Sequence, residues 1–232
     1  MQAIRPSFAL FLVAIATILS SSIAQAQNTL PDHPTPQPIN ARSCIVQPNQ
    51  PVPPLTWGIR GKCLINTTFS VSALIVPALS AGFRMANPPD TYPREWKDGG
   101  EAFARNYGDQ AARNTAGGLA QFAAAALVHE DPRYFASARP GFGPRVIHAV
   151  KFTLIDKSQS GHSTLAVSNF AGAAATGFVG MAYLPPGYDD TTHAYQHSAV
   201  ALGAFGAQNI LYEFFPELAR FAHKLHLPVP QP

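Results

Sequence analysis

Apolar runs rich in alanine and glycine alternate with short polar breaks along most of the chain after residue 64. Because proline and clusters of glycine with proline end helices, these runs predict helices between the breaks. The predicted helices cover about 96–128, 144–155, 164–184 and the region from 190 onwards, with a break at Pro216. The pattern therefore predicts a mainly α fold.

The apolar run at 64–86 allows two interpretations. Asn66 or Thr67 is suited to cap a helix that kinks at Pro77. Residues 67–76 also contain threonine, phenylalanine and valine, which favour strands. We expect the helix and keep the strand as the alternative.

Glycine recurs inside three of the alanine-rich runs. Each glycine in a helix interior costs about 1 kcal/mol relative to alanine. Repeated glycines therefore indicate helices that approach one another closely, unless some of them break a helix instead. The glycines concerned are Gly117, Gly118, Gly172, Gly177, Gly180, Gly203 and Gly206. The predicted domain is a Gly/Ala-rich helical bundle.

The N-terminal part of the chain has a different composition. Residues 1–26 have the features of a secretory signal peptide, with Arg5, an apolar stretch at 8–19 and the cleavage-type sequence Ala24-Gln25-Ala26. An uncleaved anchor is the alternative. Residues 27–58 hold eight prolines, a density that favours an extended arm. The predicted organisation is a signal peptide (1–26), a Pro-rich arm (27–63), a helical domain (64–222) and a tail (223–232).

The two cysteines, Cys44 and Cys63, both follow the predicted signal peptide. Export to an oxidising compartment favours a disulfide between them. Closing this loop would contribute roughly 3 kcal/mol to stability. Two free thiols or a metal site are the alternatives, and the lack of C-x-x-C spacing argues against the metal.

Charge is scarce in this chain. Charged residues make up 12% of the sequence and the formal net charge is +3, whereas about 25% charged residues is usual. No cluster of lysine and arginine is present, so we do not expect nucleic-acid binding. A chain so poor in charge either buries much of its surface or contacts a membrane. Membrane lipid or an envelope protein is the expected partner, with no cofactor and an undetermined oligomeric state.

The densest polar stretch is LVHEDPRYF at 127–135. His129, Asp131, Arg133 and Tyr134 are residue types that supply general acid/base catalysis. The same residues also suit a helix end, because a histidine favours the negative end of the helix dipole and Asp-Pro begins a turn. We expect a structural corner fixed by Asp131 and Arg133, with a catalytic site as the alternative.

The stretch QSGHS at 159–163 resembles the Ser-Gly-His element of the acid-phosphatase-like lipid phosphatases. In that family the histidine of this element donates a proton or takes the phosphoryl group, and the resemblance implies this role for His162. The chain lacks the family's upstream lysine and the downstream Ser-Arg with its spaced histidine and aspartate. A periplasmic hydrolase of lipid or phosphate esters, built on Asp131, Arg133 and His162, is therefore the alternative function.

Two further histidines, His193 and His197, lie four positions apart. On a helix their rings share one face, which is a geometry that binds zinc. No glutamate follows the first histidine, so the metalloprotease motif is absent. A pair of polar residues near a helix start is the simpler interpretation, and we expect no metal.

Five short elements in a fixed order resemble an uncharacterised bacterial envelope family with an Asp-Pro-Arg-Tyr hallmark. They are REWKDGGEAFARNYG, HEDPRYF, Arg145, SNFAG and LYEFFPEL, and they cover roughly 60–220. The resemblance implies no known activity, cofactor or ligand. It implies a shared framework of Trp96, Arg105, Asp131, Arg133, Tyr134, Ser168 and Asn169. The histidines His162, His193 and His197 are not part of that pattern.

These patterns together predict an exported helical protein of the cell envelope with a non-enzymatic, structural role. Low charge and glycine-bearing apolar helices favour contact with a membrane or a partner protein. The polar corner is expected to contain Asp131, Arg133, Tyr134, Ser168 and Asn169.

Overall fold

The computed structural model of the chain describes residues 44–48, 51–69 and 71–224. The predicted signal peptide, most of the Pro-rich arm and the end of the tail lie outside these residues. The mainly α prediction is confirmed. The helices of the described part are α1 (Trp57–Thr68), α2 (Val71–Ala86), α3 (Gly99–Leu127), α4 (Phe142–Leu154), α5 (Val167–Phe178), α6 (Thr191–Glu213) and α7 (Phe215–Lys224). Two short 3-10 helices cover Arg94–Trp96 and Val179–Ala182.

Two small sheets accompany the helices. Strand β1 (Ile45–Val46) pairs in parallel with β2 (Tyr134–Phe135). Strand β3 (Ile155–Lys157) pairs antiparallel with β4 (Ser163–Leu165) to form a hairpin. The first sheet joins the arm to the segment that follows α3.

Helix ends carry the local signals that the sequence predicts. The N–H of His193 donates to Asp190 Oδ1 at 2.8 Å, so Asp190 caps α6, which was predicted to begin at about residue 190. Helix α1 begins earlier than predicted, because Thr56 caps it by accepting from the N–H of Ile59 at 3.3 Å. Helix α3 ends at Leu127. After it, His129 adopts the left-handed conformation, with φ 58°, and the N–H of Glu130 donates to the carbonyl of Ala125 at 2.9 Å.

The apolar run at 64–86 is helical as expected, and the alternative strand at 67–76 is wrong for the described residues of that range. Helix α1 ends at Thr68 and α2 begins at Val71, with Pro77 inside α2. Asn66 and Thr67, the expected caps, lie inside α1 instead. The polar stretch 156–163, which lies between two predicted helices, contributes to the β3–β4 hairpin, and Gly161 in its turn has φ 83°. Helix α5 therefore starts at Val167 rather than at 164.

The cysteine pair forms the predicted disulfide, with 5.5 Å between the Cα atoms of Cys44 and Cys63. It attaches the arm to α1. The hydrogen bond from the N–H of Tyr134 to the carbonyl of Cys44, at 2.8 Å, continues the connection to β2.

The main helix contacts run from α2 to α3, from α3 to α5, from α5 to α6 and from α6 to α4, while α1 packs on α3. Glycine lies at several of these contacts. A Cβ on Gly117 would lie 2.1 Å from Thr176 Oγ1, and one on Gly177 would lie 2.2 Å from the carbonyl oxygen of Ala194. These glycines allow α5 to approach both of its neighbours at backbone distance.

Alanine at Gly177 and at Gly203 is expected to change stability in opposite directions. The new Cβ of Gly177→Ala meets the backbone of α6, and we expect the free energy of unfolding to fall by about 1–3 kcal/mol. Gly203 has no heavy atom within 4 Å of its Cβ position, so Gly203→Ala should raise stability by about 0.5–1 kcal/mol. Urea denaturation of both variants measures the difference. Equal effects would show that α5 and α6 do not meet at Gly177.

The distribution of buried side chains is unusual. The largest fully buried side chains of the described residues are mostly polar: Glu130, Glu213, Asn106, Asp109 and Pro77. The buried large apolar side chains form two small clusters, one around Tyr92 and Trp96 and one around Tyr134 and Phe152. Many other large apolar side chains are exposed.

Backbone contacts divide the chain into two compact units, one of which covers Ala41–Glu213. The other includes Phe214–Pro232, and its described helix is α7. The predicted helical domain extended to residue 222. The break before α7 falls next to Pro216, as the sequence predicted.

Candidate functional site

The polar stretch after α3 is a buried charged region of the unit Ala41–Glu213. We call Glu130, Asp131 and Arg133, together with the groups they bond, the polar corner. Its backbone is held on both sides: the N–H of Asp131 bonds the carbonyl of Lys157 at 2.8 Å, and Glu130 bridges to Ser158 of the hairpin.

Asp131 and Arg133 form the ion pair expected from the sequence. Arg133 donates from Nη2 to Asp131 Oδ2 at 2.6 Å and from Nε to Oδ1 at 2.8 Å. The two side chains are only 5% and 4% exposed. Arg133 Nη1 also donates to the carbonyl of Pro53 at 2.9 Å. The pair therefore fixes the turn after α3 and holds the arm against it.

Glu130 has a separate role at the start of α5. Its Oε1 accepts from the N–H of Val167 at 2.7 Å, and its Oε2 accepts from the N–H of Ser168 at 3.0 Å. Helix α5 has no side-chain cap of its own. A buried carboxylate at this position satisfies free N–H groups and interacts favourably with the helix dipole.

Asn169 joins three elements in the first turn of α5. Its Nδ2 donates to the carbonyl of Thr153 in α4 at 2.9 Å. Its Oδ1 accepts from Nε2 of Gln121 in α3 at 2.6 Å. Ser168 and Asn169, expected in the framework, therefore lie beside the corner.

Tyr134 connects the corner to the end of α6. Its hydroxyl donates to Glu213 Oε2 at 2.7 Å, and the N–H of Ser137 donates to the same oxygen at 3.0 Å. Arg145 Nε donates to Glu213 Oε1 at 3.0 Å. Burial and the bond to Glu213 raise the pKa of Tyr134 well above its usual value, so the hydroxyl stays protonated.

Arg60 of α1 is the corner residue that sequence analysis missed. Its Nη2 donates to the carbonyl of Glu130 at 2.7 Å, and its guanidinium carbon lies 5.8 Å from the centre of the Trp57 ring. Its Nη1 is buried without a hydrogen-bond partner among the described residues. Burial lowers the pKa of Arg60, while the nearby Asp131 raises it.

A cavity of about 80 Å³ adjoins the corner. Its wall contains Arg60, Arg133, Tyr134, Asp156, Ser168 and Asn169. A polar space of this size can hold several water molecules or a small ligand.

Asp156 in the cavity wall provides a test by pH. Burial raises its pKa from 3.8 to about 8, so the folded state binds a proton that the unfolded state releases. The free energy of unfolding should therefore fall as pH rises from about 4 to about 8, by up to roughly 1.4 kcal/mol per pH unit. Asp156→Asn keeps an acceptor for the N–H of Lys157 and should remove this slope.

The pH dependence of stability differs most clearly between the wild type and Asp156→Asn from pH 6.5 to 8. Burial lowers the pKa of His197 from 6.5 to about 4, so its contribution to stability is lost only as pH falls below 6.5. Denaturant melts at several pH values measure the slope, with the exposed Asp90→Asn as the control. Parallel profiles for the wild type and Asp156→Asn would contradict the raised pKa.

The structure does not bring the catalytic candidates together. His129 is exposed at the end of α3, and His162 is exposed in the hairpin, where its Nδ1 lies 3.0 Å from Ser160 Oγ. Neither histidine lines the cavity that Arg133 lines. Of the candidates His129, Asp131, Arg133 and His162, Asp131 and Arg133 are in contact, and they form an ion pair with each other.

His193 and His197 lie one turn apart in the first half of α6. His193 Nδ1 lies 3.0 Å from Asp190 Oδ1, and its ring packs 5.0 Å from that of Tyr188. His197 is half-buried. Within the described residues, no group of three or more histidine, cysteine, aspartate or glutamate side chains could hold a metal ion.

A second charged cluster, also missed by sequence analysis, joins α2, α3 and the 3-10 helix after α5. Asp109 accepts from Arg84 Nη1 at 2.8 Å and from Arg113 Nε at 2.7 Å. The hydroxyl of Tyr183 donates to Asp109 at 2.8 Å. Burial raises the pKa of Tyr183, which keeps this donor protonated. The cluster is a buried cross-link between these elements.

The other two framework residues differ from the corner residues. Trp96 is buried against Tyr92. Arg105 is exposed and lies 3.8 Å from Glu101 on the same helix. Of these two residues, Trp96 packs in the core, whereas Arg105 lies on the surface.

Comparison with protein-family models, curated proteins and solved structures gave no match for this chain. The fold and the corner define a mainly helical protein with a disulfide, buried ion pairs and exposed apolar helix faces.

Proposed function

We propose that this chain is an exported envelope protein that lies on a membrane surface and has a structural, non-enzymatic role. The observation that carries the proposal is the arrangement of polar and apolar side chains. Most charged groups inside the fold are paired with an opposite charge or cap a helix, whereas large apolar side chains face outward. Proteins that stay in water rarely expose so much apolar surface, and lipid accepts it.

Helix α6 illustrates this outward apolar surface. Val200 (70% exposed) and Leu211 (57% exposed) lie three helical turns apart on one face. Gly203, Ala204 and Ala207 fill the positions between them and are exposed too. This face contains no charged residue, so it suits an apolar environment.

Helix α4 has the same property. Ile147, Val150 and Leu154 follow a helical spacing on its outer face and are all exposed. The opposite face buries Ala149, Phe152 and Thr153 against the fold. A helix with apolar residues on both faces is typical of a protein that contacts a second apolar phase.

The segment Trp57–Ala86 is long and apolar enough to cross a membrane by length and composition, and its most apolar 18-residue window has a mean hydropathy of 1.6. Only 20% of its most apolar window is buried. However, Arg60 and Cys63 in α1 are fixed to the corner and the arm, so we propose that this segment rests on the lipid rather than spanning it. The predicted signal peptide and the disulfide support an oxidising, exported location.

Vesicle flotation tests the proposal with matched variants. The purified protein lacking residues 1–26 is mixed with vesicles of phosphatidylethanolamine and phosphatidylglycerol. The double variant Val200→Asp, Leu211→Asp should bind more than about tenfold more weakly, because each apolar side chain contributes about 1.5–3 kcal/mol when buried. The control Thr192→Asp, Gln196→Asp adds the same charge to exposed polar positions of α6 and should bind like the wild type.

Two results would contradict membrane binding. The first is a wild-type protein that remains with the soluble fraction at every lipid concentration. The second is equal loss of binding in both double variants, which would assign the effect to charge alone. A stable oligomer without vesicle binding would instead assign the apolar faces to a protein partner.

A further inference from the structure

The cavity beside the polar corner has an uneven distribution of charge. Glu130 is satisfied by the first N–H groups of α5, and Asp131 is paired with Arg133. Arg60 alone among these groups has no carboxylate within ion-pair distance in the described part of the chain. Its side chain is 3% exposed, and its Nη1 has no partner there.

A buried guanidinium without a counter-ion is costly, because desolvation penalises the charge and an unmade hydrogen bond adds to the penalty. The fold therefore leaves a cation in the cavity wall that an anionic group would satisfy. The nearby carboxylates already balance Arg133 and the α5 dipole, so a single negative charge fits better than a double one.

The rest of the cavity wall is mixed. It contains Arg133, which is paired with Asp131, and Asp156, whose pKa burial raises to about 8. Ser168, Gln208 and Asn209 contribute hydroxyl and amide groups. Leu64, Phe122 and Phe205 contribute an apolar side. A few neutral polar groups beside an apolar wall are typical of sites for small organic molecules.

We propose that this cavity binds a small organic monocarboxylate. Its carboxylate meets the guanidinium of Arg60, which turns slightly within the wall to present Nη1. Its short apolar body lies against Phe122 and Phe205. A volume of about 80 Å³ admits an acid of a few carbon atoms. This ligand site is independent of the apolar faces that the proposed function uses.

Titration calorimetry and ligand-observed NMR with acetate, propionate, butyrate and lactate test the site, using the protein lacking residues 1–26. Propionamide is the neutral control of the same shape as propionate, and sulfate is the doubly charged control. At least one monocarboxylate should bind at a single site, at least about tenfold more tightly than propionamide or sulfate.

Two variants assign the binding to this cavity. Arg60→Gln removes the cation and should weaken binding at least about tenfold. Gln208→Glu keeps the shape of the wall but adds a negative charge, and it should weaken binding similarly. Gln196→Glu makes the same change on the exposed surface of α6 and should bind like the wild type. If Arg60→Gln does not fold, the difference in affinity between Gln208→Glu and Gln196→Glu shows whether the ligand binds in this cavity.

Three results would overturn the proposal: no binding of any monocarboxylate to the wild type, equal binding of propionate and propionamide, or unchanged binding in folded Arg60→Gln or Gln208→Glu. The first of these would assign the cavity to water alone.

Discussion

Arg133→Met should lower the free energy of unfolding by about 3–5 kcal/mol, because it leaves the buried carboxylate of Asp131 without its counter-ion. It also removes the bond to the carbonyl of Pro53, so the arm loses one attachment. Urea denaturation followed by circular dichroism measures the change.

Two further variants define the cause of this loss. Arg105→Met changes an exposed arginine that lies 3.8 Å from Glu101, and it should cost no more than about 0.5 kcal/mol. The double variant Asp131→Asn, Arg133→Met removes both charges and should regain part of the stability. A loss below about 1 kcal/mol in Arg133→Met, or no recovery in the double variant, would contradict a buried ion pair.

Glu213→Ala should have an effect of similar size, about 3–5 kcal/mol. Glu213 is 1% exposed and accepts from Tyr134, Ser137 and Arg145. Its removal leaves the hydroxyl of Tyr134 and the N–H of Ser137 without this acceptor, and it takes the carboxylate away from Arg145. Thermal and urea melts of the variant give the loss.

Glu213→Gln separates hydrogen bonding from charge, because the amide keeps an acceptor oxygen but no negative charge. We expect an intermediate loss. Glu101→Ala is the control, since Glu101 is exposed on α3. A loss in Glu213→Ala that does not exceed the loss in Glu101→Ala would show that this cluster does not hold β2, α4 and α6 together.

The helical architecture was predictable because it depends on local signals. Proline breaks, glycine-containing alanine runs and the Asp190 cap are all visible in short windows of sequence. The hairpin at 155–165 was not predictable in this way. Its strands are three residues long, and the polar composition between them resembles an ordinary loop.

The candidate site was predicted only in part. Asp131 and Arg133 are two residues apart, so their pairing follows from the sequence. Glu130 meets Ser168, and Arg60 meets Glu130, across 38 and 70 positions. Such contacts depend on how α1 and α5 pack against α3, which a single sequence does not specify. A lone arginine inside the apolar stretch GIRGKCLIN was the available signal for Arg60.

The polar interior also bears on how few charged residues lie on the protein surface. The charged residues Glu130, Asp131, Arg133, Asp109, Arg113 and Glu213 are all buried. The surface is therefore even poorer in charge than the composition indicates. This observation, more than helix length, supports contact with lipid.

Fractionation of cells that express the full chain tests membrane association most directly. We expect the protein to leave the cytoplasm, to lose residues 1–26 and to sediment with membranes. We also expect alkaline carbonate to release the protein, because it binds the membrane surface without spanning it. Recovery entirely in the soluble fraction, as a monomer that does not bind vesicles, would contradict the proposed membrane association.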